Sequence, residues 1–206
     1  MKKVFTISLL LLIAMSIEAQ SLRDIWINMP DTIVPYLNES KRTQLVDNIE
    51  TGNRSVIDNL LTDSTEITMM SANYLSVSLN SSVVMEIKLL ENRDGGMTVC
   101  VVTTYKAPSA ESTIAFYDMQ WQRMPSSLMR PVVAASLMKC ADGMSEEEFE
   151  EVSSLLDPKL IELHLSESDN TLTIGYSLPV MPEADELRAR QILSPQTLRW
   201  NGVVFN

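Results

Sequence analysis

The sequence predicts an α+β fold in which a mainly antiparallel sheet is packed by helices. Between residues 66 and 122, apolar and polar residues alternate with the period of two that marks half-buried strands. Before and after this stretch, apolar residues recur at helical spacing. The strands follow one another through short polar turns, which is typical of antiparallel pairing.

We expect at least four antiparallel strands in this central stretch. They are Tyr74–Asn80, 83–90, Met97–Tyr105 and 112–122, with a further short strand at 66–70. Met97–Tyr105 is apolar on both faces, which suggests an interior strand. The pair Gly95 and Gly96 supplies the positive φ that a tight hairpin before this strand requires.

The flanking segments predict helices and a second group of strands. The expected helices cover 22–29, 38–51, 54–61, 131–143, 145–157 and 183–192. The expected strands cover 161–166, 172–178 and a closing hairpin at 197–205. The start at Ser145 is specified best, because Glu148 three residues later completes the spacing of a capping box.

The order of elements suggests an internal similarity. A helix, a hairpin and a later tryptophan-bearing strand occur twice along the chain. We expect residues 20–206 to form a single compact domain. Whether it is built from two related α+β units, residues 20–124 and 125–206, stays open at this point.

Residues 1–19 have the features of a secretory signal peptide. Lys2 and Lys3 precede an apolar run over residues 4–17, and the small residue Ala19 precedes the expected cleavage site. The mature protein should therefore begin at or near Gln20 and be periplasmic or otherwise exported, and soluble. The alternative is an uncleaved anchor. No later run is long and apolar enough to span a bilayer.

The charge of the chain limits its partners. The whole sequence has a net charge of −11 from 16 basic and 27 acidic residues, and removing residues 1–19 leaves 14 and 26, or −12. Such an acidic protein is not expected to bind nucleic acid or an anionic membrane surface. The simpler explanation of the acidic composition is that it keeps the protein soluble.

Metal, cofactor and catalytic sites are not expected. The chain has one histidine, His164, and two cysteines, Cys100 and Cys140, which are too few for a typical zinc site. The cysteines are either buried free thiols or one disulfide. His164 alternates with Glu162 on the polar side of a strand, which predicts a solvent-exposed side chain. The glycine signatures of phosphate-binding loops and the Gly-x-Ser-x-Gly motif are absent.

Three segments resemble a known family. They are residues 29–37, 112–117 and 198–202, and they are similar to an uncharacterised, domain-of-unknown-function family of exported Bacteroidales proteins. The resemblance covers nearly the whole of residues 20–206. It implies a location in the periplasm or envelope. It implies no activity, so it transfers no catalytic residue to this chain.

The remaining binding candidate is an aromatic stripe. Tyr117, Met119 and Trp121 would share one face of the strand 112–122 and could receive a glycan or a partner chain. The alternative is that they pack in the core between sheet and helices. We therefore expect a non-enzymatic binding or protein-interaction module whose partner is an envelope protein or a glycan. The alternatives are an envelope accessory or structural component, and an enzyme of unrecognised type.

Overall fold

The computed structural model describes residues 20–106 and 108–206, so the expected signal peptide lies outside the described residues. This part of the chain contains four α-helices: α1 (Leu22–Ile27), α2 (Glu39–Glu50), α3 (Glu146–Ser154) and α4 (Glu183–Ile192). It contains nine strands: β1 (Val56–Asp58), β2 (Ser64–Met70), β3 (Tyr74–Asn80), β4 (Val83–Glu91), β5 (Met97–Tyr105), β6 (Glu111–Tyr117), β7 (Ile161–Leu165), β8 (Thr171–Tyr176) and β9 (Gln196–Arg199).

The strands form two antiparallel sheets, which confirms the expected α+β fold. The large sheet has the order β1-β2-β3-β4-β5-β6, so each strand pairs with its neighbours in sequence. The small sheet has the order β7-β8-β9. Because β5 pairs with both β4 and β6, it is an interior strand, as its apolar residues predicted.

The large sheet has a hydrophobic core on each face. On the front face, Leu75, Val77 and Ile87 pack in a core that includes residues of α1 and α2. On the back face, Cys100 and Val102 pack in a second core with the small sheet, α3 and α4. The large sheet is therefore the middle layer, and β7 crosses its back near β4, β5 and β6.

One buried side chain organises the irregular segment between α1 and α2. The guanidinium of Arg42 donates hydrogen bonds to the backbone carbonyls of Ile27, Met29 and Leu37. It also donates to the carboxylate of Asp31 at 2.9 Å. Arg42 is only 2% exposed. A proline-containing stretch without regular secondary structure is thus fixed by the donors of a single guanidinium.

Side-chain caps begin two of the helices. The hydroxyl of Ser145 accepts the backbone amide of Glu148 at 3.1 Å, which confirms Ser145 as the cap of α3 but gives only one half of the predicted capping box. A complete capping box occurs at α1, where Ser21 and Asp24 each accept the other's backbone amide. Both motifs satisfy amide groups that have no partner within the helix.

The helix predicted over residues 54–61 is wrong, because this segment contains the edge strand β1. Its residues pair with β2, and the side chain of Asn59 then accepts the backbone amide of Leu61 at 2.8 Å to form a turn. Of the side chains predicted to be buried on this helix, Ile57 is buried from the strand, whereas Leu60 and Leu61 point outward. Leu60 is 65% exposed and Leu61 is 56% exposed.

The helix predicted over residues 131–143 is also wrong. Only one turn of 3-10 helix forms, at Ala134–Leu137. The chain then runs alongside the segment after α4, where the amide of Lys139 donates to the carbonyl of Ile192 at 2.8 Å. The amide of Ser194 donates to the carbonyl of Leu137 at 2.7 Å in return. Tertiary backbone pairing replaces the helical hydrogen bonds.

The two cysteines have different environments. Cys100 is buried in the back core, as predicted, but Cys140 is exposed because the expected helix that would have turned it inward does not form. Both are free thiols, which excludes the disulfide alternative.

The strand predicted over residues 112–122 ends at Tyr117. The carboxylate of Asp118 accepts the amide of Gln122 at 2.8 Å and so closes a tight turn. Within that turn Trp121 has a φ of +60°, which directs the chain away from the strand. The last five residues of the predicted strand therefore form a turn.

Replacing Arg42 by Met should lower the free energy of unfolding by about 3–5 kcal/mol, because three buried carbonyls and one carboxylate lose their donor. Urea unfolding measures this loss. Arg54→Met is the control, since Arg54 forms only a surface pair with Glu66 and its side chain is 77% exposed. Equal, small losses in both variants would show that Arg42 does not organise the segment.

Candidate functional site at the junction of the two sheets

The small sheet meets the large sheet through an edge of β7. One edge of β7 pairs with β8, and the amides on its other edge face the large sheet. There the amide of Leu163 donates to the hydroxyl of Ser112 at 3.0 Å. The amide of Leu165 donates to the carboxylate of Glu86 at 3.4 Å. Side chains of β6 and β4 thus take the place of a neighbouring strand.

Two buried charges on the back face of β4 form this junction. Glu86 is 7% exposed and Lys88 is 1% exposed. The ammonium of Lys88 donates to the backbone carbonyls of Ser166 and Glu167, each at 2.9 Å. The carboxylate therefore takes an amide of the small sheet, and the ammonium takes carbonyls just beyond β7. Both charges depend on these hydrogen bonds to offset the cost of burial.

Tyr74 on β3 supports both charges. Its hydroxyl donates to Glu86 at 2.6 Å, and its ring centroid lies 5.7 Å from the Lys88 nitrogen. Burial, followed by the hydrogen bond to Glu86, raises the pKa of Tyr74 well above its ordinary value. The phenol therefore remains protonated and continues to donate to the carboxylate.

Burial also shifts the two charged groups toward their neutral forms. It raises the pKa of the Glu86 carboxyl, although the hydrogen bond from Tyr74 and the nearby His164 oppose the shift. It lowers the pKa of the Lys88 ammonium, although Asp169 and Glu167 oppose that shift. The desolvation of each group is thus larger than the stabilisation that its surroundings provide.

A pocket of about 240 Å³ opens beside the junction, and we call it the junction pocket. Its lining is mixed in charge and mostly polar, and consists of Ser76, Val84, Glu86, Thr104, Lys106, Glu162 and His164. Five of these residues belong to the large sheet or directly follow it, and two belong to β7. The site therefore exists only because the small sheet is docked on the large one.

His164 forms one wall of the junction pocket between two carboxylates. Its Nδ1 lies 3.8 Å from a Glu86 oxygen, and its Nε2 lies 3.2 Å from a Glu162 oxygen. The side chain is 57% exposed, which confirms the predicted solvent exposure. The sequence indicated only Glu162 as a neighbour, whereas Glu86 reaches the imidazole from the other sheet. The ring thus lies between one carboxylate of each sheet.

Tyr117, Met119 and Trp121 lie away from the junction pocket, against the front core. Trp121 is 7% exposed, and its indole N–H donates to the carbonyl of Ile25 at 3.1 Å. The rings of Tyr117 and Trp121 are 5.1 Å apart. Because β6 ends at Tyr117, the three residues do not share a strand face.

The sequence contains a signal for the junction. Glu86 and Lys88 share one face of a predicted strand with Val84 and Leu90. The next strand is apolar on both faces, so this face must be covered and its charges must have partners. The sequence could not indicate that these partners lie near residues 165–167.

The described part of the chain contains neither a metal-binding cluster nor a membrane-spanning helix. Within residues 20–106 and 108–206, no group of three His, Cys, Asp or Glu side chains is arranged to hold a metal ion. No helix in the same ranges has the length and apolar character needed to cross a membrane.

Comparison with known proteins establishes the family. A family model described as "Protein of unknown function (DUF3256)" matches residues 14–205. The chain belongs to the DUF3256 family. A solved structure, described as a domain of an uncharacterized protein from Porphyromonas gingivalis W83, is similar in fold to this DUF3256 chain, with a TM-score of 0.75 and 20% identity. The match covers 90% of this chain and 98% of that one. No curated protein matches.

The segments that suggested the family have architectural roles in this DUF3256 protein. Residues 29–37 wrap the guanidinium of Arg42. In residues 198–202, the indole of Trp200 donates to the carbonyl of Glu91 at 2.8 Å. Gly202 has a φ of +88°, and a Cβ there would lie 2.6 Å from the side chain of Arg93. This segment fixes the C-terminus against the β4–β5 hairpin.

Glu86→Gln should make stability less dependent on pH. Since the folded state raises the pKa of Glu86, it binds this proton more tightly than the unfolded state does, where the carboxyl pKa is about 4.3. The contribution of Glu86 to stability is therefore present at low pH and is lost as pH rises through its folded pKa. Glu86→Gln has no titrating carboxyl at this position, so it does not lose stability in this way as pH rises.

Thermal unfolding of both proteins across this range measures the effect. The melting temperature of Glu86→Gln, relative to the wild type, should increase as pH rises from about 4.3 into the neutral range. Glu147→Gln, at an exposed position of α3, is the matched control. A constant difference between Glu86→Gln and the wild type at every pH would refute the shifted pKa.

Proposed function

We propose that this DUF3256 protein is an exported, non-enzymatic binding module that holds a ligand carrying a primary ammonium group in the junction pocket. The observation that carries this proposal is the buried Glu86 carboxylate in the wall of an open pocket. A concave site with a few converging polar groups is the usual form of a small-ligand site.

The N-terminal sequence supports export. Two lysines followed by an apolar run over residues 4–17 are typical of a signal peptide, and the polar sequence after Ala19 is typical of a mature N-terminus. We place the protein in the periplasm, which agrees with the resemblance to exported proteins of Bacteroidales.

The chemistry of the pocket favours a cationic group. Glu86 and Glu162 offer carboxylate oxygens, and Ser76 and Thr104 offer hydroxyls. A carboxylate can accept about four hydrogen bonds, and Glu86 accepts bonds from the Tyr74 hydroxyl and the Leu165 amide within the described chain. A primary ammonium donates three hydrogen bonds and would form a charge-assisted hydrogen bond with the buried carboxylate.

The surroundings of the titratable groups favour binding over catalysis. Each ring nitrogen of His164 faces a carboxylate, so the imidazole is flanked by the acidic groups of the pocket wall. Tyr74 is kept protonated and buried behind Glu86. Burial raises the pKa of the Cys100 thiol, which lies in the back core. Tyr74 and Cys100 are therefore protonated groups rather than acids or bases poised to exchange a proton with a ligand.

The single histidine of the chain provides a direct test. The imidazole Cε1–H signal of His164 should shift in NMR spectra on titration with n-butylammonium and should not shift with equal concentrations of butyrate. Glu86→Gln should weaken the binding of butylammonium by roughly tenfold or more, since a charge-assisted hydrogen bond is lost.

Glu147→Gln is the control for general electrostatic attraction to an acidic protein, and it should leave the affinity unchanged. Equal shifts with butyrate and butylammonium would contradict the proposal. An unchanged affinity in Glu86→Gln, with the fold intact by circular dichroism, would also contradict it.

A further inference from the structure

A second cavity lies on the front face of the large sheet, and it is independent of the junction pocket. We call it the tyrosine cleft, and its volume is about 300 Å³. The residues that matter for its chemistry are Ile33, Tyr36, Asn80, Val83, Thr103 and Tyr105.

Two tyrosines from separate elements reach the tyrosine cleft. Tyr36 belongs to the segment that Arg42 organises, and Tyr105 ends β5. Tyr105 is 50% exposed, so part of its ring is open to solvent beside the cavity. The rings thus offer aromatic surface to any molecule that enters.

The polar groups of the cleft are neutral and are held in place. Asn80 donates to the hydroxyl of Tyr36 at 3.3 Å and accepts the amide of Ser82 at 2.9 Å. The hydroxyl of Tyr36 accepts from Asn80, so its own proton is available to donate to a ligand. Thr103 adds another hydroxyl to the lining. The hydrogen bonds of Asn80 and Tyr36 are preformed, which lowers the entropic cost of binding.

We propose that the tyrosine cleft binds a neutral saccharide. The cleft lining contains no charged side chain, although the chain has a net charge of −11, so the site selects an uncharged ligand. A sugar ring has an apolar C–H face that packs on aromatic surface, and it has hydroxyls for the Asn, Thr and Tyr groups. The volume suits a ring-sized ligand.

A protein segment is the competing occupant, because two exposed leucines lie next to the cleft. The amide of Leu60 donates to the carbonyl of Tyr36 at 3.4 Å, and Leu61 follows it in the same turn. A protein partner would be expected to bury both leucines. A saccharide in the cleft would depend on the tyrosines and not on Leu61, so the two occupants give different mutational results.

Isothermal titration with neutral trisaccharides tests the proposal, and maltotriose, cellotriose and chitotriose form the panel. At least one should bind, and trigalacturonate should not. Tyr105→Ala should weaken that binding by roughly tenfold or more, because the exposed aromatic surface is removed. Leu61→Ser, at a comparably exposed position, should leave the affinity unchanged.

Three results would overturn the saccharide proposal. They are the absence of binding by any neutral trisaccharide, an unchanged affinity in folded Tyr105→Ala, and a loss of affinity in Leu61→Ser equal to that in Tyr105→Ala. Glu86→Gln serves as a further control. It should not affect saccharide binding, so failure here and failure of the ammonium proposal can be told apart.

Discussion

The docking of the small sheet on the large one depends on two opposite charges buried side by side on β4. Glu86 and Lys88 occupy alternate positions of an interior strand, on the face that packs against the small sheet. Removing an ion from water costs several kcal/mol, so each charge must be hydrogen bonded when the face is covered. The carboxylate accepts an amide of β7, and the ammonium donates to carbonyls just beyond it.

This arrangement makes the position of β7 specific as well as stable. An apolar face alone would accept the small sheet in several registers, because hydrophobic contact has no direction. A buried charge that finds no partner in a shifted register would carry the full desolvation cost. We infer that Glu86 and Lys88 select one register and thereby create the junction pocket.

The protein uses the same physical device a second time, on the front side of the sheet. Arg42 is almost fully buried, and its guanidinium donates to three main-chain carbonyls. Like Lys88, it is a cation that fixes a segment without regular secondary structure. The Arg42 segment carries Tyr36 to the tyrosine cleft. Arg42 thus supports the tyrosine cleft, and Lys88 supports the junction pocket.

Local patterns in the sequence predicted much of the fold. The alternation in Tyr74–Asn80 and in Met97–Tyr105 gave the strands, because a half-buried strand must alternate. Patterns failed where tertiary contacts decide the structure. The apolar residues Val56, Ile57, Leu60 and Leu61 are spaced as in a helix, but residues 56–58 pair with β2 instead.

The candidate site was harder to predict than the fold. The acidic and basic positions of β4 were visible, and so was the exposure of His164. The β4 charges and the His164 strand come together through hydrogen bonds between residues that are far apart in the sequence. Leu165 and Glu86 are separated by 79 positions, and Lys88 and Ser166 by 78. No local rule reports such a contact. Long-range pairing of this kind is found only once the strands are placed.

Hydrogen exchange at two amides of one chain segment tests the central role of Glu86 most directly. The amide of Leu165 donates to Glu86, whereas that of Ser166 donates to the carbonyl of Thr171 in the small sheet. In Glu86→Leu, exchange at Leu165 should accelerate by about tenfold or more relative to exchange at Ser166. An unchanged ratio of the two rates, in a folded variant, would contradict the account.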